Sequence, residues 1–358
     1  MNKIRFAVVG IGRMGRGQLK EILKNAPGRY ELAAVCDVCA DRMENLPAEW
    51  GNGYRKYTSL DELLNDASVD LVSLATRHLD HVPMALRVLE AGKACMVEKP
   101  AAPNVAEMEK LRRAGEAHPG TLFIRHNRRF EPAFVKAKEL VDRGVLGTVH
   151  YIRLCRAVGY CRRNDWMTSP EEFGGLFTNW GPHLVDQALQ LIGAPVTEVW
   201  ADLRRAISIG EGDDMSRVML RGANGRLAEI ELTGVCTTPG RELEIIGTRG
   251  SLYYDGGAKT VHVRMVDPAI EFRELAPHRD NPPLQYGNFE ENLSFVDADY
   301  ELPKTALSDV WKHCAATLLD GVPYPVTIDE ATEVVRITEE VIRKSGFAPL
   351  QKFCTRGK

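Results

Sequence analysis

Nothing in this 358-residue chain approaches the run of roughly 18 apolar residues that crosses a bilayer as a helix. Lys3 and Arg5 precede a short apolar stretch, the order found in secretory signals. The stretch is too brief, and no small-residue cleavage site follows it. The segment is therefore expected to be a buried strand. Net charge is also scarce: 46 Lys and Arg against 49 Asp and Glu leave −3, spread along the chain. A nucleic-acid partner would favour a basic face, so that class is excluded. The eight cysteines are scattered through a chain long enough to need no cross-links, which fits a soluble protein of the reduced cytoplasm. The Cys36-Asp37-Val38-Cys39 run has no second Cys-x-x-C to complete a metal site, so no metal is expected. Internal repeats and low-complexity tracts are lacking as well.

What the chain does have is enough apolar material, 44%, to fill the cores of one very large or two ordinary domains. The first third alternates strand signals, at 4–9, 31–36, 69–75, 94–97 and 121–124, with helix signals at 12–24, 60–65, 82–91 and 105–117. Apolar strands alternating with helices predict a parallel sheet covered on both faces. The pattern changes after about residue 125. A helix at 132–143 precedes longer runs with partial alternation, at 149–154, 196–203, 218–221, 227–233, 242–246, 251–254 and 261–266. Short turns at 223–225 and 247–250 mark hairpins, so a largely antiparallel sheet is predicted. Further helices are expected near 183–192, 307–319 and 329–344, and an exposed loop at 280–288. The expected division is 1–124, a dinucleotide-binding α/β domain, and 125–358, an α+β domain for substrate and oligomer contacts.

Gly10-Ile11-Gly12-Arg13-Met14-Gly15 is a G-x-G-x-x-G string that follows a predicted strand and opens a predicted helix. Gly10 permits the tight turn, Gly12 lets a pyrophosphate approach the backbone, and Gly15 allows close helix–strand packing. The helix start then offers unpaired N–H groups to the phosphates. Asp37 closes the second strand, where a carboxylate accepts both ribose hydroxyls of NAD and repels the extra phosphate of NADP. Arg42 lies close enough in sequence to tolerate that phosphate, so NAD is preferred and NADP stays open.

Three further segments extend the pattern: Met96-Val97-Glu98-Lys99-Pro100; Asn127-Arg128-Arg129-Phe130-Glu131-Pro132 followed by Gly144-Val145-Leu146-Gly147; and Gly174-Gly175 followed by Asn179-Trp180-Gly181-Pro182-His183-Leu184-Val185-Asp186. In order and spacing the chain resembles the glucose-fructose oxidoreductase/inositol dehydrogenase/MocA (Gfo/Idh/MocA) family over nearly its whole length. The segment from Thr76 to His81 is similar to a family loop ending in His, with Arg77 and His78 in place of the usual Pro and Asn. The resemblance implies an α/β Rossmann N-terminal domain plus an α+β C-terminal domain with an open-faced, mostly antiparallel sheet. It implies a nicotinamide at the domain junction, homodimers or homotetramers built through the sheets, and a cis Lys99-Pro100 peptide. It assigns Thr76, His81, Glu98 and Lys99 to the cofactor side together with the glycine loop. Lys99, Asn127, Arg163, Trp166 and His183 fall on the substrate side. By the same analogy 156–166, with Tyr160, Arg162, Arg163, Asn164, Asp165 and Trp166, forms a loop near the substrate.

Oxidation of a secondary alcohol needs a base for the hydroxyl proton while hydride leaves carbon. An imidazole titrates near working pH, which makes His183 the expected base. Gly181-Pro182 favours a helix start, so His183 is expected in a first turn, kept neutral by the positive end of the helix dipole. Lys99, at a strand end, would stabilise developing alkoxide charge. Asn179 stands where the family has Asp. Asn orients a ring but adds no charge, which leaves three outcomes: a less basic His183, more of the proton transfer on Lys99, or lost catalysis.

The function expected is an NAD(H)-dependent oxidoreductase acting on the secondary alcohol or ketone of a sugar, sugar derivative or cyclitol. An NAD-assisted glycosidase or lyase of the same family, and a non-catalytic regulator that senses nucleotide or sugar, are the alternatives.

Overall fold

The computed structural model describes residues 3–347 other than 27, 52, 160, 161, 273, 275, 277, 278 and 280–292. The loop expected at 280–288 and the substrate-loop residue Tyr160 lie outside the described residues.

The first unit alternates strands and helices: β1 (Ile4–Val9), α1 (Arg13–Asn25), β2 (Tyr30–Cys36), β3 (Arg55–Tyr57), α2 (Leu60–Leu64), β4 (Leu71–Leu74), α3 (His81–Glu90), β5 (Ala94–Val97), α4 (Val105–Ala117) and β6 (Leu122–Ile124). The strands pair in parallel in the order β3-β2-β1-β4-β5-β6. The order reverses between β1 and β4, and loops leaving the carboxyl ends of those strands open a crevice there. β1 is apolar almost throughout because both faces are covered. Ala7 and Val9 pack with α3 and α4 residues on one side, and Ile4, Phe6 and Val8 pack with α1 on the other. Each such side chain contributes about 1.5–3 kcal/mol by leaving water. The short edge strand β3 has no signal in the sequence, since Arg55 and Lys56 are exposed and only Tyr57 is partly covered.

The second unit begins with α5 (Pro132–Asp142), β7 (Val149–Ala157) and α6 (Leu176–Ile192). It continues through β8 (Val196–Arg204), β9 (Met215–Gly222), β10 (Leu227–Thr233), β11 (Leu243–Gly247), β12 (Gly250–Tyr254), β13 (Thr260–Val266) and β14 (Phe295–Glu301). These form an eight-stranded sheet ordered β14-β13-β12-β11-β7-β10-β9-β8. Every pairing is antiparallel except β7 with β10. The edge strand β14 escapes sequence reading because nearly all its side chains face water, so no buried alternation marks it.

One face of this sheet is covered by α5, α6 and α8 (Ile328–Lys344) in a single apolar core. The opposite face is polar, laced with pairs such as Arg217–Glu229 and Arg153–Glu231, with Trp200 standing out at 55% exposure.

The C-terminal helices return to the first sheet. Val310, Trp311 and Cys314 of α7 (Asp309–Asp320) pack among Phe6, Leu19 and Tyr30. Ala331 and Val335 of α8 join the core beneath β4 and β5, while Val334, Ile337 and Val341 of the same helix join the second. One helix thus closes both units, although 307–344 falls in the segment assigned from sequence to the second domain.

Two expectations about α6 are corrected. The helix begins at Leu176, not near 183, and Pro182 lies inside it. Proline lacks the N–H that would bond the Thr178 carbonyl, so Gly181-Pro182 looks like a helix start from sequence. Here packing overrides it. A side chain at Gly181 would come within 2.8 Å of the Phe177 ring, and Phe177 is fully buried in the core.

Candidate active site

The predicted cofactor residues all leave the carboxyl edge of the parallel sheet. Gly10 follows β1 with φ +90°, and a Cβ there would come within 2.6 Å of the Ala75 carbonyl after β4. A Cβ on Gly15 would lie 1.9 Å from the Gly10 carbonyl. Both positions therefore exclude any larger residue. Gly12, which caps α1, is different: a Cβ there would meet nothing. The open side of Gly12 and the first-turn N–H groups of α1 could hold a phosphate. Arg13 and Met14 lie in that first turn, Arg13 exposed, while Ile11 is buried.

Asp37 is buried just past β2. Its Oδ2 accepts the Ile11 N–H at 2.8 Å and its Oδ1 the Cys39 N–H at 2.9 Å, so the carboxylate first of all holds the glycine loop. Each oxygen keeps a second lone pair for a ribose hydroxyl. The Arg42 guanidinium sits 3.4 Å from Oδ1 and is half exposed.

Beyond β5, the Lys99-Pro100 peptide is cis. Glu98 is buried and accepts from Gln18 Nε2 at 2.8 Å and Arg125 Nη1 at 2.7 Å. Burial works to raise its pKa, but Arg125, Lys99 and Gln18 outweigh it and hold the group below the usual carboxylate range. Arg125, itself fully buried, also pairs with Glu21 and lies 5.8 Å from the Trp311 ring centre. Removing one partner of such a buried pair costs about 3–5 kcal/mol, so Glu98 is fixed as a strut of the loop. His81 braces the same loop through Nδ1, 2.8 Å from the Pro100 carbonyl.

Lys99 Nζ donates to the Asn179 carbonyl at 2.8 Å and to Asn179 Oδ1 at 2.9 Å. This revises what Asn179 does: its amide oxygen receives the lysine rather than orienting His183. Burial, reinforced by the cations Arg125, Arg128 and Arg13, lowers the Lys99 pKa to about 8 against the opposing pull of Glu98. His183 lies seven residues into α6, so the helix dipole is not what keeps it neutral. Burial does so first, then the surrounding Lys99, Arg128, His126 and Arg125, and together they hold its pKa well below the ordinary value. Its Nδ1 is buried with no partner among the described residues.

Thr76 Oγ1, His81 Nε2, both ring nitrogens of His126 and Asn127 Oδ1 are likewise buried and unpartnered. A lone buried polar atom costs about 1–3 kcal/mol, so several at one sheet edge mark a place that a polar ligand completes. Together with the open Gly12 cradle, they fit a dinucleotide with a carboxamide ring.

Trp166 meets the His78 ring edge-on at 4.9 Å, and His78 Nδ1 lies 2.9 Å from the Phe173 carbonyl. Burial holds the His78 pKa down to about 3. Arg163 is paired with Asp165 at 2.7 Å, and it lines a small cavity with Asn179 and Asp213. The sequence had not singled out Arg128, His126 or Asp213. Arg128 stacks on the Trp180 ring, 4.5 Å from its centre, beside Glu131 at 2.8 Å. It adjoins Asn127 in the motif at the join of the two units, which was the available signal. Cys36 is buried and Cys39 exposed, both as free thiols.

A parallel sheet of this order, with a glycine loop at its switch point, defines a dinucleotide-binding fold. The chain belongs to the glucose-fructose oxidoreductase/inositol dehydrogenase/MocA family. Residues 4–126 match the model described as the oxidoreductase family, NAD-binding Rossmann fold, and 134–253 match its C-terminal domain. An uncharacterized oxidoreductase of Schizosaccharomyces pombe is 31% identical over 259 residues, 70% of each chain. The scyllo-inositol 2-dehydrogenase (NAD(+)) of Bacillus subtilis is 30% identical over 292 residues, 77% of this chain and 80% of that one. Among solved structures, GenD2 from gentamicin A biosynthesis in complex with NAD superposes with TM-score 0.76 at 27% identity, over 96% of this chain and 95% of that one.

Proposed function

We propose that this protein is an NAD(H)-dependent dehydrogenase of a sugar, sugar derivative or cyclitol, with Lys99 as the group that exchanges the substrate hydroxyl proton. The observation that carries this is the Lys99 ammonium held by both oxygens of Asn179 beside a neutral His183. A bound NAD would supply the hydride acceptor. Lys99, in its neutral amine form, takes the hydroxyl proton, and as the ammonium it returns it in ketone reduction. His183 stays uncharged and hydrogen-bonds the reacting oxygen, which fixes its distance from Lys99. Arg128, Asn127, Arg163 and Trp166 line the polyol side, where stacking and polar contacts suit a sugar face. A cyclitol or sugar is favoured by the inositol dehydrogenases among the relatives, and oligomers by the wide polar sheet face carrying Trp200.

Asp37 sets the preference for NADH. The nucleotide-stripped protein is titrated with NADH and with NADPH, following cofactor fluorescence. NADH should bind at least about tenfold more tightly, since a 2′-phosphate would be placed against a buried carboxylate. Asp37→Ala should erase most of that ratio, because Arg42 is then released from its ion pair with Asp37. An unchanged ratio would remove Asp37 from the ribose site. No binding of either nucleotide would favour the regulator, and bound NAD without net redox product the lyase.

Asn179→Asp would place a charge 2.9 Å from the lysine. An adjacent anion favours the ammonium, so the rise of oxidation rate with pH should move upward from about 8. The pH profile of kcat in the two proteins decides it. A midpoint that stays put would dissociate Lys99 from the limb.

A further inference from the structure

The start of α6 carries no capping side chain of its own, because Gly175 is the N-cap. The cap is supplied from the loop between β8 and β9. Asp213 Oδ2 accepts the Phe177 N–H at 2.8 Å, and the Asp213 carbonyl accepts the Leu176 N–H at 2.8 Å. The approach is as close as backbone permits. Gly175 has φ +140°, and a Cβ there would fall 2.2 Å from Asp213 Oδ1. A Cβ on Gly210 would collide with Thr168, and one on Gly212 would come within 3.0 Å of Gly175 Cα. Gly212 N–H donates to the Thr168 carbonyl and Gly175 N–H to the Met167 carbonyl, both at 2.8 Å. Three segments, 166–169, 174–177 and 210–214, are therefore locked around one buried carboxyl group. The neighbouring Asp214 is spent on its own loop, accepting from Ala206 N and Ile207 N at 2.6 and 2.7 Å.

Asn179 follows in the same first turns of α6, and both its oxygens receive Lys99. We infer that Asp213 is a positioning residue for the acid–base lysine: by clamping the start of α6 it fixes Asn179 as the acceptor that stabilises the Lys99 ammonium. This rests on the proposed role of Lys99. Asp213 bonds the Phe177 and Leu176 N–H groups rather than the lysine, and it acts through the helix. Burial and Asp214 push the Asp213 pKa up to about 7, while the Phe177 and Leu176 N–H groups oppose this. An acceptor oxygen is present in either protonation state, so an amide should replace the carboxyl here.

The test reads Lys99 directly. The ¹³Cε shift of Lys99, assigned by comparison with Lys99→Met, is followed against pH in the free protein. The other charged or titratable groups facing Lys99, among the described residues, are Glu98, Arg125, Arg128, Arg13, His78, His81 and His183, and all are unaltered by the substitutions. Asp213→Ala should lower the Lys99 midpoint by about half a pH unit or more, since a drifting acceptor no longer favours the charged form. Asp213→Asn should restore it to within about 0.2 unit of the wild type. Asp213→Leu, close in shape and suited to burial, repeats the Ala result if the Ala variant does not accumulate. NADH affinity should stay within about twofold in all three, as the glycine loop and Asp37 are unaltered. A folded Ala or Leu variant with an unmoved Lys99 midpoint overturns the inference, and so does an Asn variant as shifted as Ala. Failure of the dehydrogenase reading would appear separately, as absent turnover in the wild type with the Lys99 titration still showing the Asp213 effect.

Discussion

Lys99→Met should reduce kcat for alcohol oxidation by about a thousandfold, the size expected when a positioned acid–base group is removed. NADH should still bind, because the phosphate cradle at Gly12 and the carboxylate of Asp37 are untouched. The sign of the pH dependence follows from the lowered pKa. Below about 8 the group is an ammonium and cannot take a proton, so oxidation in the wild type should rise with pH through that value. Ketone reduction needs the ammonium and should fall over the same interval. Lys99→Met should lose both limbs, leaving a low, flat profile. Stopped-flow measurement of NADH formation and consumption across pH checks each arm. A methionine variant that keeps the pH limbs would move the proton transfer to another group.

His183→Ala should cost about a hundredfold to a thousandfold in kcat, as for loss of one preorganised hydrogen-bonding partner. The histidine is neutral across the working range, so its removal should leave the pH midpoint near 8. That separates it from Lys99, whose loss removes the midpoint altogether. NADH affinity should remain within about threefold, because a loss of uniform binding would appear in KM rather than in kcat. Turnover that survives intact would show that His183 does not contact the reacting oxygen. A profile whose midpoint shifts by about a unit or more would return the proton to His183.

Much of the first unit is legible in the residues. β1, β4 and β5 are apolar on both faces, which only a covered parallel sheet explains, and their loops carry Gly10, Gly12, Gly15, Glu98 and Lys99. The second sheet is legible as hairpins wherever one face is buried, as in β9 with its alternating pattern. Where burial fails to alternate, legibility fails too: β3 and β14 are edge strands with little apolar area to signal them. At α6 a local rule conflicted with packing. Gly181-Pro182 marks a helix start in isolation, yet the turns before it are retained because Phe177 packs into the core and Asp213 caps the first turn from another loop.

The site divides the same way. Residue identity alone determined that a glycine loop, a carboxylate after β2, a lysine after β5 and a histidine in the later motif are present, because those side chains stand at fixed places in the pattern. The resemblance, not the residues alone, marked Asn179 as standing where the family is expected to have Asp. Only the tertiary structure decided what Asn179 contacts, since Lys99 and Asn179 are 80 residues apart, one just after β5 and the other on α6. It likewise decided that His183 is neutral through burial among cations rather than through a helix dipole, and that Asp213 belongs to α6. Charge interactions and burial depend on distances across the fold, and a linear pattern does not hold those distances.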